Sequence, residues 1–172
     1  MNPAKWDAAR SAFAIACTVF AVVWLWPAVS GPDQLPGHVD ASGTVTRWDG
    51  KWSLLLTLGG ITLGLALMFG FAKPVLSRVP ASAINMPSRE QHAYWTAPER
   101  RGEFDNRMAT DLMWLGSATI LLMAVMLAVV GGASGDSVDI LPLVAPTALY
   151  TVAVIGYTLY LALGPRYRVP AP

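Results

Sequence analysis

The amino-acid sequence predicts an all-α integral membrane protein: a four-transmembrane-helix bundle with both termini cytoplasmic, a polar outer loop and a longer basic cytoplasmic loop. Three observations lead there. Hydrophobic residues make up 54% of the 172 and charged residues only 13%, against the roughly 25% charged of soluble domains. Four long stretches carry no Asp, Glu, Lys, Arg or His. The basic residues are sorted onto alternate connections.

The charge-free stretches are 11–32, 52–72, 112–135 and 140–165, of 22, 21, 24 and 26 residues. At about 1.5 Å rise per residue even the shortest spans a bilayer core of about 30 Å. A soluble helix would interleave polar residues on one face; here apolar residues run all round. The spans are predicted at about 11–30, 52–72, 111–131 and 141–164, joined by an outer loop at 31–51 and an inner loop at 73–110. Together they make residues 1–172 a single membrane domain.

With the first terminus inside, the inner segments hold Lys5, Arg10, Lys73, Arg78, Arg89, Arg100, Arg101, Arg107, Arg166 and Arg168, and the outer ones only Arg47 and Lys51. Ten against two is a positive-inside bias, which orients short-looped spans. It predicts a multi-pass protein of the plasma membrane with both termini cytoplasmic. Lys5 and Arg10 ahead of the first span, and Ala28-Val29-Ser30 at its end, have the look of a signal peptide; the span length predicts an uncleaved anchor instead. Trp24, Trp26, Trp48 and Trp52 are placed as an outer aromatic belt, and Trp6, Trp114 and Tyr167 as an inner one. Pro27 and Gly31-Pro32 are expected to stop the first helix. Pro146 is expected to disturb the fourth.

Within the second span Gly60 and Gly64 form a small-xxx-small pair, the spacing that lets a neighbouring helix approach closely. They are assigned to packing within the bundle, with a homodimer seam as the other reading. The single cysteine, Cys17, sits mid-span, so no intramolecular disulfide is available and no cysteine-based metal site. A net charge of +1 offers no field to recruit nucleic acid.

In the outer loop Val39 and Val45 are placed to pair across Ala41-Ser42-Gly43. His38, Asp40 and Asp49 are weak candidates for a divalent metal, since imidazole and carboxylates suit such ions. The simpler reading is that they bond loop backbone in Asx-turn fashion, with the His38 imidazole tying the two arms together. The pattern Leu35-Pro36-x-His38-x-Asp40-x-x-Gly43, followed by Trp48, Lys51 and Trp52, resembles the signature of domain-of-unknown-function family 1648. That family is also found in the N-terminal part of a Bacillus immunity protein to a sporulation-delaying peptide toxin. Asn85-x-Pro87 and Tyr94-Trp95-x-Ala97-Pro98-Glu99-Arg100-Arg101 in the inner loop resemble its Asn-x-Pro and Tyr-Trp-x-x-Pro-Glu-Arg elements. The spacing departs from the family where Gln91-His92-Ala93 separates Arg89 from Trp95. The family's molecular activity is unassigned. The resemblance marks Pro36, His38, Asp40, Gly43, Trp48 and Trp52 as an outer recognition loop, and Asn85, Pro87, Tyr94, Trp95, Pro98, Glu99 and Arg101 as an inner motif.

Ser88 with Gln91, and Thr96 with Glu99, fit capping boxes, so a helix is expected to start near Ala97 and run into the third span. On it Arg107 lies four residues from both Glu103 and Asp111, an expected surface ion-pair chain. His92 is expected to be an exposed loop residue. No HExxH, GxSxG or phosphate-binding glycine loop occurs, and no ionisable residue is placed inside a span to carry a proton or ion path. These absences lead to the expectation of a non-enzymatic membrane module without a cofactor, of sensing, immunity-like or accessory role. Its partners would be the lipid bilayer and another membrane or cytoplasmic protein. The alternative reading is a small transporter or channel component.

Overall fold

In a computed structural model, residues 3–170 are described, with side chains from Trp6 onward. The Lys5 side chain and the chain ends, on which part of the orientation rests, lie outside the described residues. The chain runs α1 (Pro3–Ser30), β1 (Gln34–Val39), β2 (Val45–Gly50), α2 (Lys51–Gly70), α3 (Ala72–Leu76), α4 (Arg89–Thr96), α5 (Pro98–Gly131) and α6 (Leu141–Leu163), with single 3₁₀ turns at Ala81–Ala83 and Pro165–Tyr167. Segments Trp6–Ser30, Lys51–Gly70, Pro98–Gly131 and Leu141–Leu163 are long and apolar enough to cross a membrane. The chain is mostly rather than entirely helical, because the loop at 31–51 is a two-stranded antiparallel hairpin in which Val39 pairs with Val45 as expected. Two apolar-alternating runs bracketing a turn hydrogen-bond to each other before they can be left as open loop, since unpaired backbone groups are costly away from water.

Helix α5 is the mast. It is touched by α1, α2, α3, α4 and α6, and at 34 residues it rises about 50 Å, well beyond a hydrocarbon core. Its first three turns therefore stand outside the apolar layer, where α3, α4 and the C-terminal turn wrap them. Small residues let α1 lie close along it: Ala9 and Ala16 of α1 and Ala109 and Ala124 of α5 are all buried. The main core joins Ala16 and Phe20 of α1, Leu55 of α2 and Ile120, Ala124 and Leu127 of α5 to Leu35 of the hairpin. Among the spans α6 packs chiefly on α5, and none of its residues is buried.

Two local expectations are revised and a third holds. Pro27 does not end α1. It lies inside the helix, which continues to Ser30, and it is fully buried beside Gly131 of α5; packing offsets the one backbone bond a helical proline forfeits. Thr96 does not cap α5. Its hydroxyl donates to the His92 carbonyl at 2.7 Å, and Ala97 stands at the cap position without a side-chain bond. Ser88 does cap α4, accepting from the Gln91 N–H at 3.1 Å.

The helix-packing assignment of Gly60 and Gly64 is overturned. A β-carbon at either position would meet nothing within 4 Å, so neither makes a close approach to another helix of this chain. The glycine that a neighbour requires is Gly116 of α5, where a β-carbon would stand 2.6 Å from the Phe69 ring and 2.8 Å from the Phe69 Cβ. Gly116→Leu should therefore lower stability by about 1–3 kcal/mol, the usual penalty of overpacking a filled core. Gly64→Leu should leave the melting temperature in detergent at the parent value. Equal melting of both variants would contradict this packing.

Candidate functional site

At the hairpin end, chemistry-bearing residues sit on a framework held from three sides. Strand pairing runs Gln34↔Gly50, Leu35↔Asp49, Pro36↔Trp48, His38↔Arg47 and Val39↔Val45, with irregularities on either side of His38. Asp40 closes the turn: its Oδ1 accepts from Ser42 N–H at 2.9 Å, Ser42 Oγ at 2.7 Å and Thr44 N–H at 2.9 Å. Those bonds, the Ser42 hydroxyl foremost and then the Thr44 amide, hold the Asp40 carboxyl below the usual carboxylate range.

Gly43 adopts φ +89, a left-handed conformation that glycine takes without strain. Its missing side chain lets the Val138 carbonyl approach, where a β-carbon would collide. The turn is stitched to the α5–α6 connection by Val138 N–H to Gly43 O at 2.8 Å and Val45 N–H to Asp136 O at 2.9 Å. Leu35 plugs the core from above and is fully buried, as Pro36 beside it is buried. Lys51 closes the base, donating to the Gly31 carbonyl at 3.0 Å while its Nζ lies 5.8 Å from the Trp52 ring centroid.

This arrangement reassigns the sequence candidates. The His38 side chain is exposed and its ring makes no hydrogen bond among the described residues, so the imidazole does not tie the arms. Backbone ladder bonds do, helped by Arg47 Nη2, which donates to Gly37 O at 3.1 Å and to Asp49 Oδ2 at 3.0 Å. Gly37 has no side chain where the Asp49 carboxylate sits. His38, Asp40 and Asp49 do not converge: among the described residues no three His, Cys, Asp or Glu side chains could share a metal ion. Trp52 is half exposed and tilts against Trp24 at 6.4 Å. Trp48 lines a cavity of about 860 Å³ at the hairpin's base, together with Trp26, Asp33, Gln34 and the glycine-rich backbone at 131–135. Asp33 there is exposed and makes no ion pair among the described residues.

At the opposite end the inner motif divides. Asn85, Pro87, Pro98 and Glu99 are exposed. Trp95 is buried with Phe104 and Tyr167 as an aromatic cluster, and Tyr94 packs edge-on against it at 5.0 Å. Arg101 clamps α3: it pairs with Asp105 at 2.8 Å and donates to the carbonyls of Leu76 and Val79. His92 belongs to helix α4 rather than a loop, is half-buried, and bonds the Ala81 carbonyl at 3.0 Å. Tyr167 is not an interfacial belt residue. It is buried, and its carbonyl accepts from Trp95 Nε1 at 2.8 Å.

The sequence reading missed the centre of this end. Asp111 is buried and is not chained to Arg107. Its carboxylate receives Tyr157 Oη at 2.7 Å, Tyr167 Oη at 2.6 Å and Arg166 Nε at 2.7 Å, with Arg166 Nη2 also within 2.6 Å. Each oxygen thus meets two donors, which saturates a carboxylate. Arg107 pairs with Glu103 instead, spreads over the Trp95 ring at 4.8 Å, and donates to the Arg166 carbonyl at 2.6 Å. Burial, and then the Asp111 charge, push the Tyr167 hydroxyl well above the usual tyrosine range, so it stays a donor. A signal was present in sequence. Asp111 opens one charge-free stretch and Arg166 closes another, and an up–down pair of helices brings those ends to one level.

Asp111→Asn should cost about 3–5 kcal/mol, because it leaves Arg166 largely buried without its counter-charge; Tyr157→Phe should cost about 1–3 kcal/mol. Melting in detergent checks both, and two variants as stable as the parent would contradict the network. At the hairpin, a lowered Asp40 value means that the turn's extra stability is present above about pH 4, the unperturbed aspartate value, and is lost as pH falls through the folded-state value. Protection of the Ser42 and Thr44 amides, taken as exchange relative to the intrinsic rate at each pH, should fall only in that acid window. In Asp40→Asn the acid step should be absent.

No curated protein and no solved structure matches the chain. A protein-family model does, over part of it: the match starts in α1, takes in the whole hairpin and ends within α2, leaving the inner motif outside. Residues 13–63 match the model described as Domain of unknown function (DUF1648).

Proposed function

We propose that this chain is a non-enzymatic module of the bacterial plasma membrane, with both termini cytoplasmic, that recognises a cationic or amphipathic partner at its outer, hairpin face. One observation carries the reading: the cavity of about 860 Å³ between the rigid hairpin base and the α5–α6 connection, walled by Trp26 and Trp48 and edged by Asp33. Indole faces and a carboxylate without a counter-ion suit a positively charged group. The surrounding charge agrees. Segments 31–51 and 132–140 hold five aspartates against Arg47 and Lys51, a net of −3 with His38 neutral.

The opposite end supports the non-enzymatic reading by contrast. Its buried charged groups are consumed in holding one another, with Asp111, Arg166 and two tyrosine hydroxyls mutually satisfied. The inner surface is suited to lipid head groups or a cytoplasmic protein. Arg10 and Lys73 both lie over the Trp6 ring, at 5.9 and 5.5 Å, an interfacial aromatic flanked by cations that anionic lipid would attract. An immunity-like, sensing or accessory role is compatible with this arrangement, and the identity of the outer partner decides among them.

Two measurements test the proposal. In a Cys17→Ser background, Ala41→Cys should react with an impermeant maleimide in intact cells while Ala83→Cys stays protected; the reverse pattern would overturn the orientation. Affinity capture from native membranes in mild detergent should return a basic protein or peptide with the parent chain. Trp48→Ala and Asp33→Asn should lose it with their melting temperatures unchanged. Undiminished capture by both variants would remove the pocket from the function.

A further inference from the structure

Where α5 and α6 meet at the level of Asp111, the polar network leaves one donor group over. Arg166 gives Nε and Nη2 to the Asp111 carboxylate, and Nη2 also lies 3.4 Å from the Arg107 carbonyl. The remaining nitrogen, Nη1, has no hydrogen-bond partner among the described residues and is not enclosed by them. The side chain as a whole is 20% exposed. A guanidinium nitrogen only donates, and the acceptor that gains most from it is anionic.

A cavity of about 450 Å³ opens beside this group, lined by Arg166, Thr110, Trp114, Tyr157 and Tyr160. Trp114 and Tyr160 are both exposed, and Tyr157 and Tyr160 stack at 6.3 Å. The cavity stands at the edge of the apolar layer. Asp111 immediately precedes the charge-free run 112–135, and Arg166 immediately follows the run 140–165. That is the level of lipid head groups, which tryptophan and tyrosine favour.

A second cavity, of about 240 Å³, shares Trp114 and Tyr157 with the first and is otherwise lined by Leu115, Ala118, Tyr150, Ala153 and Val154. It continues the polar opening as an apolar slot along the seam between α5 and α6. From Tyr160 to Tyr150 the two run ten residues of α6, about 15 Å. α6 buries none of its residues, so the seam stays open there, and the Thr119 and Tyr150 hydroxyls tie the helices at its far end. A soluble anion would answer Arg166 and leave the slot empty. A wholly apolar molecule would fill the slot and leave the guanidinium unanswered. An amphipathic molecule with an acidic head answers both.

We infer that this seam is a binding site for one glycerophospholipid, its phosphodiester accepting from Arg166 Nη1 and one acyl chain lying in the slot toward Tyr150. Phosphate is the acceptor that a bilayer supplies at this height, and guanidinium is well matched to it. The Asp111 charge is already met by Arg166 and two tyrosine hydroxyls, and Arg168 adds a further cation at the same end. The lipid joins α6 to α5 where the side chains of α6 do not.

The test uses the full chain, delipidated in dodecyl maltoside, with dioctanoyl phosphatidylglycerol as probe. Native mass spectrometry should show one lipid retained, and the probe should raise the melting temperature. Arg166→Lys keeps a cation for Asp111 but removes the spare nitrogen, and should weaken retention about tenfold, the worth of one charge-assisted hydrogen bond. Ala153→Phe, at an exposed position in the slot, leaves Arg166 untouched. It should abolish retention while melting like the parent without probe. Inorganic phosphate should leave the melting temperature of the parent unchanged. No retention by the parent, or retention undiminished in either variant, would overturn the assignment; if Arg166→Lys does not fold, Ala153→Phe decides alone. Inorganic phosphate stabilising the parent and Ala153→Phe alike would mark a soluble-anion site and overturn it too, as would oleate displacing the lipid at equal concentration. None of these results bears on the hairpin pocket, which is tested separately.

Discussion

A carboxylate buried where the apolar layer begins must be surrounded by donors, and Asp111 organises the end of the molecule opposite the hairpin by that requirement. Its four donor contacts come from α6 and from the C-terminal turn, Tyr157 on one and Arg166 and Tyr167 on the other. α6 needs such ties. It buries no residue of its own, and apolar contact between spans gains little when lipid is as apolar as the partner. The remaining side-chain bond between α5 and α6 is also polar, from the Thr119 and Tyr150 hydroxyls at 2.8 Å. The helix is held by hydrogen bonds more than by packing. Fixing Tyr167 in turn places its carbonyl for Trp95 and Gln91, so α4 docks through the same anchor. From Arg166 the tie continues to Arg107 and Glu103.

The hairpin end is organised differently, by shape and backbone. Leu35 enters the core between α1, α2 and α5, which fixes the height of β1. Asp40 and Gly43 shape the turn, and the Val138 and Asp136 backbone bonds attach it to the α5–α6 connection. Because side chains carry little of this framework, Trp26, Trp48 and Asp33 remain available around the cavity beneath it. The contrast in polar satisfaction is what separates a structural end from a surface capable of recognition. The buried charges at the Asp111 end answer one another, and Asp33 at the hairpin end faces solvent.

The four spans, the alternation of charged connections and the hairpin's turn were legible in the residues. A run of more than twenty uncharged residues has few ways to satisfy its backbone in lipid except as a helix. Val39 and Val45 flanking a glycine turn have little alternative to pairing. Partners across the fold were not legible. Arg107 lies four residues from Asp111 and equally from Glu103, and helical spacing alone does not rank the two. The ranking came from Arg166, fifty-five residues further on, whose fork reaches both Asp111 oxygens. Gly60 and Gly64 show the same limit, since their spacing marks a face but not which way it turns.

By itself, then, the sequence determined the class of the protein, the number of its long apolar helices and the position of its turns, all consequences of local composition acting over a few residues. Only the tertiary structure decided which helix is central, that Gly116 rather than Gly60 or Gly64 meets a neighbour, and that Asp111 is buried. Those outcomes depend on the rotation of each helix about its axis. In a bilayer that rotation is set by a handful of polar pairs and close approaches between distant residues, because a span apolar on every side carries no hydrophobic pattern to specify it.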